Sequence, residues 1–299
     1  MIELKNVVKS FGSFNALDGV NMHVQSGSIY GLVGPNGAGK TTLMNTLCGI
    51  YKAANGEITV NKTPVYENND IKKRIVYISD DVFFFHNSTT KSLKNFYKGI
   101  YSGFDEEKFN DYAKYFPGIN QDMNIRRLSK GMKKQVAFWI AICCNPDILV
   151  LDEPVDGLDP MMRHQIWGLI INEVAQREMT VLISSHNLRE LEDICDTVGI
   201  MNKGKIFLEA SLDDLKTQLS KIQVSFADEI NTAELGIKIL KEKKTGRVYE
   251  LIVSGDKSEI ESKLNNFNPL FVEALPLTLE EIFIYEMGEV DNEIKQILI

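Results

Sequence analysis

Cysteine is scarce, with four in 299 residues. Cys48, Cys143, Cys144 and Cys195 form no C-x-x-C pair and each sits in an apolar context. That excludes a disulfide framework and a thiolate zinc site, and predicts buried, reduced thiols. Long apolar runs are also missing. The longest, Val136–Cys144 (VAFWIAICC), falls well short of the ~20 residues that cross a bilayer and reads as a buried helix. A basic excess is absent too. The net charge is −8, which argues against nucleic acid as a partner. There is no internal repeat and no low-complexity tract. The opening MIELKNVVKSF has no charged leader before an apolar stretch, so no secretion signal is expected and the location is predicted to be cytoplasmic. What is there is ordinary globular composition, 44% hydrophobic and 25% charged, in a chain long enough for one large domain or a large and a small one.

Strand-like runs at Ile2–Val8 and Val20–Val24 are followed by Ser28–Val33, a glycine loop, and a helical stretch at Thr41–Leu47. This strand–loop–helix order begins an α/β unit. A turn at Asn55-Gly56 precedes EITV, and another short strand is expected near Arg74–Ile78. From about 82 to 145 the apolar residues recur at helical spacing, which predicts a helical insertion. Strands return at Ile148–Leu151 and Thr180–Ser184, with a helix around Met161–Gln176 between them. The alternation implies a parallel sheet covered on both faces. A hairpin at Thr197–Met201 and Lys205–Leu208 closes this part near residue 220. Residues 221–299 read as a separate piece: strand Ile222–Phe226, helix Thr232–Lys243, strand Val248–Val253, helix Lys257–Asn266, strand Leu270–Ala274 and helix Leu279–Met287.

The loop Gly34-Pro35-Asn36-Gly37-Ala38-Gly39-Lys40-Thr41 fits G-x-x-x-x-G-K-[ST]. Its glycines let backbone N–H groups curl around phosphate oxygens, and the following helix points its positive end at the same anion. Lys40 is placed to reach the β- and γ-phosphates of ATP, and the Thr41 hydroxyl to ligate Mg²⁺. The apolar strand Ile148–Leu151 ends in Asp152-Glu153. Buried carboxylates need a partner, and beside a phosphate loop Asp152 is expected to hold Mg²⁺ while Glu153 polarises the attacking water. His186 ends another strand (TVLISSH), at the same carboxyl edge of the sheet, where ligands bind. It is expected to steady the γ-phosphate. Ser129, in Leu128-Ser129-Lys130-Gly131-Met132-Lys133-Lys134-Gln135, is a natural N-cap for the helix that follows.

Together and in this order, these segments resemble the ATP-binding-cassette (ABC) ATPases over residues 1 to about 220. Gly34–Thr42, including Thr42, resembles the Walker A loop, and Ile148–Glu153 resembles Walker B with its catalytic glutamate. LSKGM at 128–132 is similar to the family signature, Gly157-Leu158-Asp159 to the D-loop, and His186 to the switch histidine. Phe11 stands where the family places an aromatic that stacks on adenine. The resemblance implies an α/β P-loop cassette with a mixed-sheet core, a helical subdomain and a small C-terminal α+β domain. It also implies head-to-tail pairing with a second cassette, identical or related, so that each ATP lies between one Walker A loop and the opposite Ser129 and Gly131. Two positions depart from the family. Lys130 and Met132 replace the usual glycine and glutamine of the signature, and Asp80 stands where the family has glutamine. Aspartate still ligates Mg²⁺. Its charge near Asp152 and Glu153 predicts repulsion in the metal-free protein.

Three classes compete for the function. An unrelated phosphate-loop kinase or switch does not account for the signature or His186. A soluble ABC ATPase acting on ribosomes or nucleic acid shows tandem cassettes, a coiled-coil insertion or zinc-binding cysteines, none of which is present. The favoured class is the motor subunit of a membrane transporter. It would lie peripherally on the inner membrane face and drive permease subunits on separate chains. The segment LPLTLEEIFIYEMGE (Leu275–Glu289) is similar to the ends of exporter cassettes for drugs, antibiotics and peptides. The aspartate-type loop is similar to that of Gram-positive exporters, including those of phenol-soluble modulins. Val82-Phe83-Phe84-Phe85 is expected either to receive the permease or to be core. The C-terminal piece is expected to regulate, to dimerise or simply to stabilise, and Ile294–Ile299 to offer an apolar surface.

Overall fold

A strand buried on both faces needs an unbroken apolar sequence, and three segments supply one. In a computed structural model describing residues 1–214, 219–227, 230–255 and 257–286, every residue of β3 (Ile29–Val33), β7 (Ile148–Asp152) and β8 (Thr180–Ser185) is buried. They run parallel with β6 (Ile75–Ile78). With β9 (Thr197–Asn202) and β10 (Lys205–Ser211) they make a six-stranded sheet of order β10-β9-β3-β8-β7-β6. A second sheet, β2-β1-β4-β5, is antiparallel and built on the hairpin of β1 (Ile2–Phe11) and β2 (Phe14–Val24). β4 (Asn55–Val60) and β5 (Thr63–Pro64) complete it.

The helices are α1 (Lys40–Leu47), the short α2 (Asn69–Lys72), α3 (Thr90–Ile100), α4 (Glu106–Tyr112), α5 (Lys130–Cys143) and α6 (Pro160–Arg177). Their starts carry the expected caps. Thr89 and Ser92 form a capping box on α3, and Asp105, Ser129 and Asp159 cap α4, α5 and α6. Between β6 and β7 the chain is helical, as the spacing predicts. Its core is Trp139, fully buried and stacked at 4.5 Å on Phe109 and at 5.4 Å on Phe116. All four cysteines are buried and free. Burial pushes their thiols up, that of Cys144 to about 12, so they stay protonated.

The chain divides into two units. One holds Met1–Asn187 and Ile194–Glu209; the other holds Leu188–Asp193 and the residues from Ala210 onward. The division falls at Glu209/Ala210, earlier than residue 220, and β11 (Leu219–Ser225) lies in the second unit's own antiparallel sheet, β12-β13-β11-β14. β13 (Val248–Ser254), α7 (Lys257–Asn265), β14 (Phe271–Leu275) and α8 (Leu279–Glu286) follow the expected order. The helix expected at Thr232–Lys243 does not form. A single 3₁₀ turn, Thr232–Leu235, ends at Gly236 with φ +63°, and Lys238–Thr245 is a strand, β12, paired to β13. Gly236 reverses the chain, and the lysines of β12 suit a sheet edge that must stay in water. Residues 287–299, including Ile294–Ile299 and the end of the exporter-like segment, lie outside the described residues. No helix among the described residues is long and apolar enough to cross a membrane.

Candidate functional site

The carboxyl ends of β3, β7 and β8 lie side by side, with Val33 opposite Ser185 and Asp152 opposite Ser184. From Val33 the chain turns into the glycine loop and then into α1. Gly39, the residue before α1, has φ +110°, and a Cβ there would stand 2.7 Å from the Ala16 carbonyl oxygen. At Gly34 a Cβ would stand 2.2 Å from the Met201 carbonyl oxygen. Only glycine fits either position. No side chain caps α1, which leaves its first N–H groups for an anion.

A cleft of about 380 Å³ opens here. It is lined by Phe11, Phe14, Ala16, Pro35, Asn36, Gly37, Gly39, Lys40, Thr41, Thr42, Asp80 and Glu153. Most of the residues assigned from sequence therefore converge on one wall. Gly34 and Ala38 shape the loop without lining the cleft. Phe14 and Ala16 line it without having been picked out by any motif. Phe14 faces Phe11 across the β1–β2 hairpin, and both rings are exposed.

Two lysines are buried among the described residues' polar groups, Lys40 and Lys134. Lys40 Nζ donates to the Gly34 carbonyl at 2.6 Å and stands 3.2 Å from Glu153 Oε1. The contact to Oε1 is a charge pair without hydrogen-bond geometry. Glu153 Oε2 accepts from His186 Nδ1 at 2.8 Å and from the His186 N–H at 3.3 Å. A carboxylate acceptor requires the proton on Nδ1. Glu153 thus joins Lys40 to the strand-end histidine. Its own N–H is held by Ser184 Oγ at 3.0 Å.

Asp152 is buried beneath, accepting from Ser184 Oγ and from Tyr77 Oη at 3.3 Å. Burial, reinforced by Asp152, pushes the Tyr77 hydroxyl well above its ordinary value and keeps it a donor. Thr41, Asp80 and Asp152 offer hard oxygen donors, the set that suits Mg²⁺. The repulsion expected at Asp80 is answered by a cation. Its carboxylate accepts from Lys134 Nζ at 3.2 Å and lies 3.8 Å from Lys130 Nζ.

Ser129 caps α5 by accepting from the Met132 N–H at 3.2 Å. A Cβ on Gly131 would meet the Gly157 carbonyl oxygen at 2.6 Å. Neither residue lines the cleft. Two of the phenylalanines after Asp80 are exposed, Phe83 at 81% and Phe85 at 52%, while Phe84 is half-buried. Phe85 continues edge-on to Phe96 at 4.9 Å, giving an aromatic strip on the helical insertion.

Residues 17–156 match the family described as ABC transporter. The ABC transporter ATP-binding protein YtrB of Bacillus subtilis (strain 168) is 32% identical over 290 residues, which is 96% of this chain and 98% of that one. The bacitracin transport ATP-binding protein BcrA of Bacillus licheniformis is 33% identical over 224 residues, 74% of this chain and 73% of its own. A solved ATP-binding subunit of an ABC transporter superposes with a TM-score of 0.67 at 25% identity, over 72% of this chain and 92% of that one.

Proposed function

This chain belongs to the ATP-binding subunits of ABC transporters, and from that membership we propose that it is the ATP-hydrolysing motor of a membrane exporter. The observation that carries the reading is the run Lys40–Glu153–His186 at the mouth of the glycine cradle. Phosphate oxygens in the cradle compete with Glu153 for Lys40, which turns the carboxylate toward an attacking water as its base. His186 keeps the carboxylate aimed and faces the γ-phosphate. Thr41, Asp152 and Asp80 hold Mg²⁺, which when bound neutralises charge on the β- and γ-phosphates. Phe11, with Phe14 beside it, stacks on the base. Ser129 and Gly131, outside the cleft of their own chain, serve the ATP of a facing cassette, identical or related.

Permease subunits on separate chains supply the membrane path and place the motor on the inner face of the membrane. The exposed strip of Phe83, Phe85 and Phe96 is the surface offered to them. Peptides, drugs or antibiotics are the cargo class, a reading supported by the relative named for bacitracin transport.

Glu153→Gln is the test. Turnover is expected to fall at least about 100-fold, the range of a lost general base, while ATP still binds and holds two cassettes together. The measurements are phosphate release, equilibrium ATP binding and size-exclusion chromatography. Full turnover in the variant would remove Glu153 from the chemistry. Copurification with membrane subunits, and ATPase stimulation by candidate cargo, test the transport half of the reading.

A further inference from the structure

Glu153 is held in a conformation its sequence disfavours. Its φ is +44°, the left-handed region, and it precedes Pro154, whose ring pushes the preceding residue toward extended backbone. Such a residue persists only where its surroundings over-determine it. Ser184 Oγ fixes its N–H. Its carbonyl oxygen is fixed by the Lys134 ammonium at 2.6 Å.

Lys134 is 1% exposed, and a buried ammonium is costly unless paired. Its counter-ion is Asp80, at 3.2 Å and 54 residues earlier in the chain. Asp80 lines the nucleotide cleft, and Lys134 lies on α5, the helix that Ser129 caps. One buried cation therefore touches three parts of the machinery: the cleft acid, the signature helix and the backbone of the catalytic glutamate.

We propose that Lys134 is a positioning residue for ATP hydrolysis: it holds the Glu153 peptide so that the carboxylate meets Lys40 and His186, with Asp80 as the counter-ion that keeps it buried and charged. The proposal rests on the reading of Glu153 as the catalytic base. The same cation connects that base to the helix that faces a second cassette. Without the ammonium, the 153–154 peptide relaxes toward extended backbone and the carboxylate leaves its aim. ATP affinity, set by the glycine loop and Lys40, stays.

The test compares wild type, Lys134→Met, Asp80→Asn, the double variant Asp80→Asn/Lys134→Met and Glu153→Gln in the full chain. Readouts are kcat and KM for ATP and the thermal midpoint. Lys134→Met is expected to lower kcat by about tenfold to 100-fold, the scale of a misplaced catalytic group, with KM within about twofold. Asp80→Asn lowers the midpoint, because it leaves the buried Lys134 without its carboxylate, whereas Asp80 in Lys134→Met is partly exposed and keeps Lys130. The double variant removes both charges, so its midpoint rises above that of Asp80→Asn, yet its kcat stays about tenfold below that of Asp80→Asn alone. A Lys134→Met kcat within twofold of wild type overturns the proposal. So does a double variant as fast as Asp80→Asn; that comparison decides the matter even where the single lysine variant fails to fold. If Glu153→Gln also turns over normally, the fault lies in the catalytic assignment. If Glu153→Gln is inactive and the lysine variants are normal, it lies in the positioning role alone.

Discussion

Phe11 and Phe14 oppose each other at the tip of a hairpin whose turn contains Gly12 with φ +61°. Phe11 meets Tyr51 edge-on at 5.5 Å, and Lys9 Nζ stands 5.0 Å from its ring centre. A base stacked on an aromatic ring is worth about 1–3 kcal/mol by alanine substitution. Phe11→Ala is therefore expected to weaken ATP binding about tenfold, and Phe14→Ala by less, since Phe14 is the more exposed ring at 65% against 47%. Fluorescence titration with a nucleotide analogue measures both, and unchanged affinity in Phe11→Ala would move the base elsewhere. The two rings also mark what could be read in advance. Residues whose chemistry depends on spacing along the chain, the glycine loop, Asp152-Glu153 and His186, are legible because the loop or strand end that uses them is local. Phe14 and Lys134 act through partners brought close by a hairpin and by a helix packed 54 residues from its ion pair. No spacing rule announces such pairs.

Elements show the same division in a different form. Helices with caps and buried strands with unbroken apolar runs were readable, because each carries its own signal. β12 was not. Its lysine-rich stretch, residues 241–245, is exposed throughout, so its spacing suits a helix as well as a strand, and pairing with β13 decides between them. A second long-range device joins α4 to α6. Glu173 on α6, 2% exposed, takes Lys108 at 2.9 Å and Tyr112 Oη at 2.9 Å from α4, with Arg177 one turn on. Burial alone would raise its carboxyl, but the hydrogen bonds from Lys108, Arg177 and Tyr112 outweigh it and hold the group below the ordinary glutamate range. A lowered native value contributes stability above the ordinary glutamate pKa, and that stability is lost as pH falls through the native value. Glu173→Ala is expected to cost about 3 kcal/mol at pH 7, the low end for a broken buried pair because Lys108 and Arg177 keep some contact with water. Urea melts should show the gap between wild type and variant narrowing as pH drops below about 4.5, the ordinary glutamate range. A gap unchanged by acid would mean that packing, not charge, holds the two helices.

At the scale of the whole molecule, the notable fact is which piece of chain each unit claims. The second unit includes Leu188–Asp193, a segment that follows directly on His186-Asn187 and that α8 contacts within the same unit. Leu188 and Leu191 are buried there, the Leu279 N–H donates to Glu192 Oε1 at 3.2 Å, and Arg189 pairs with Glu280 at 2.8 Å. The exposed ion pair adds little. The fully buried Leu279 is the stronger hold. Leu279→Ala is expected to cost the second unit about 2–5 kcal/mol. Amide exchange should rise in Leu188–Asp193 and in α8, while β3 and β7 of the cassette keep their protection. Unchanged exchange across 188–193 would show that α8 does not hold that segment.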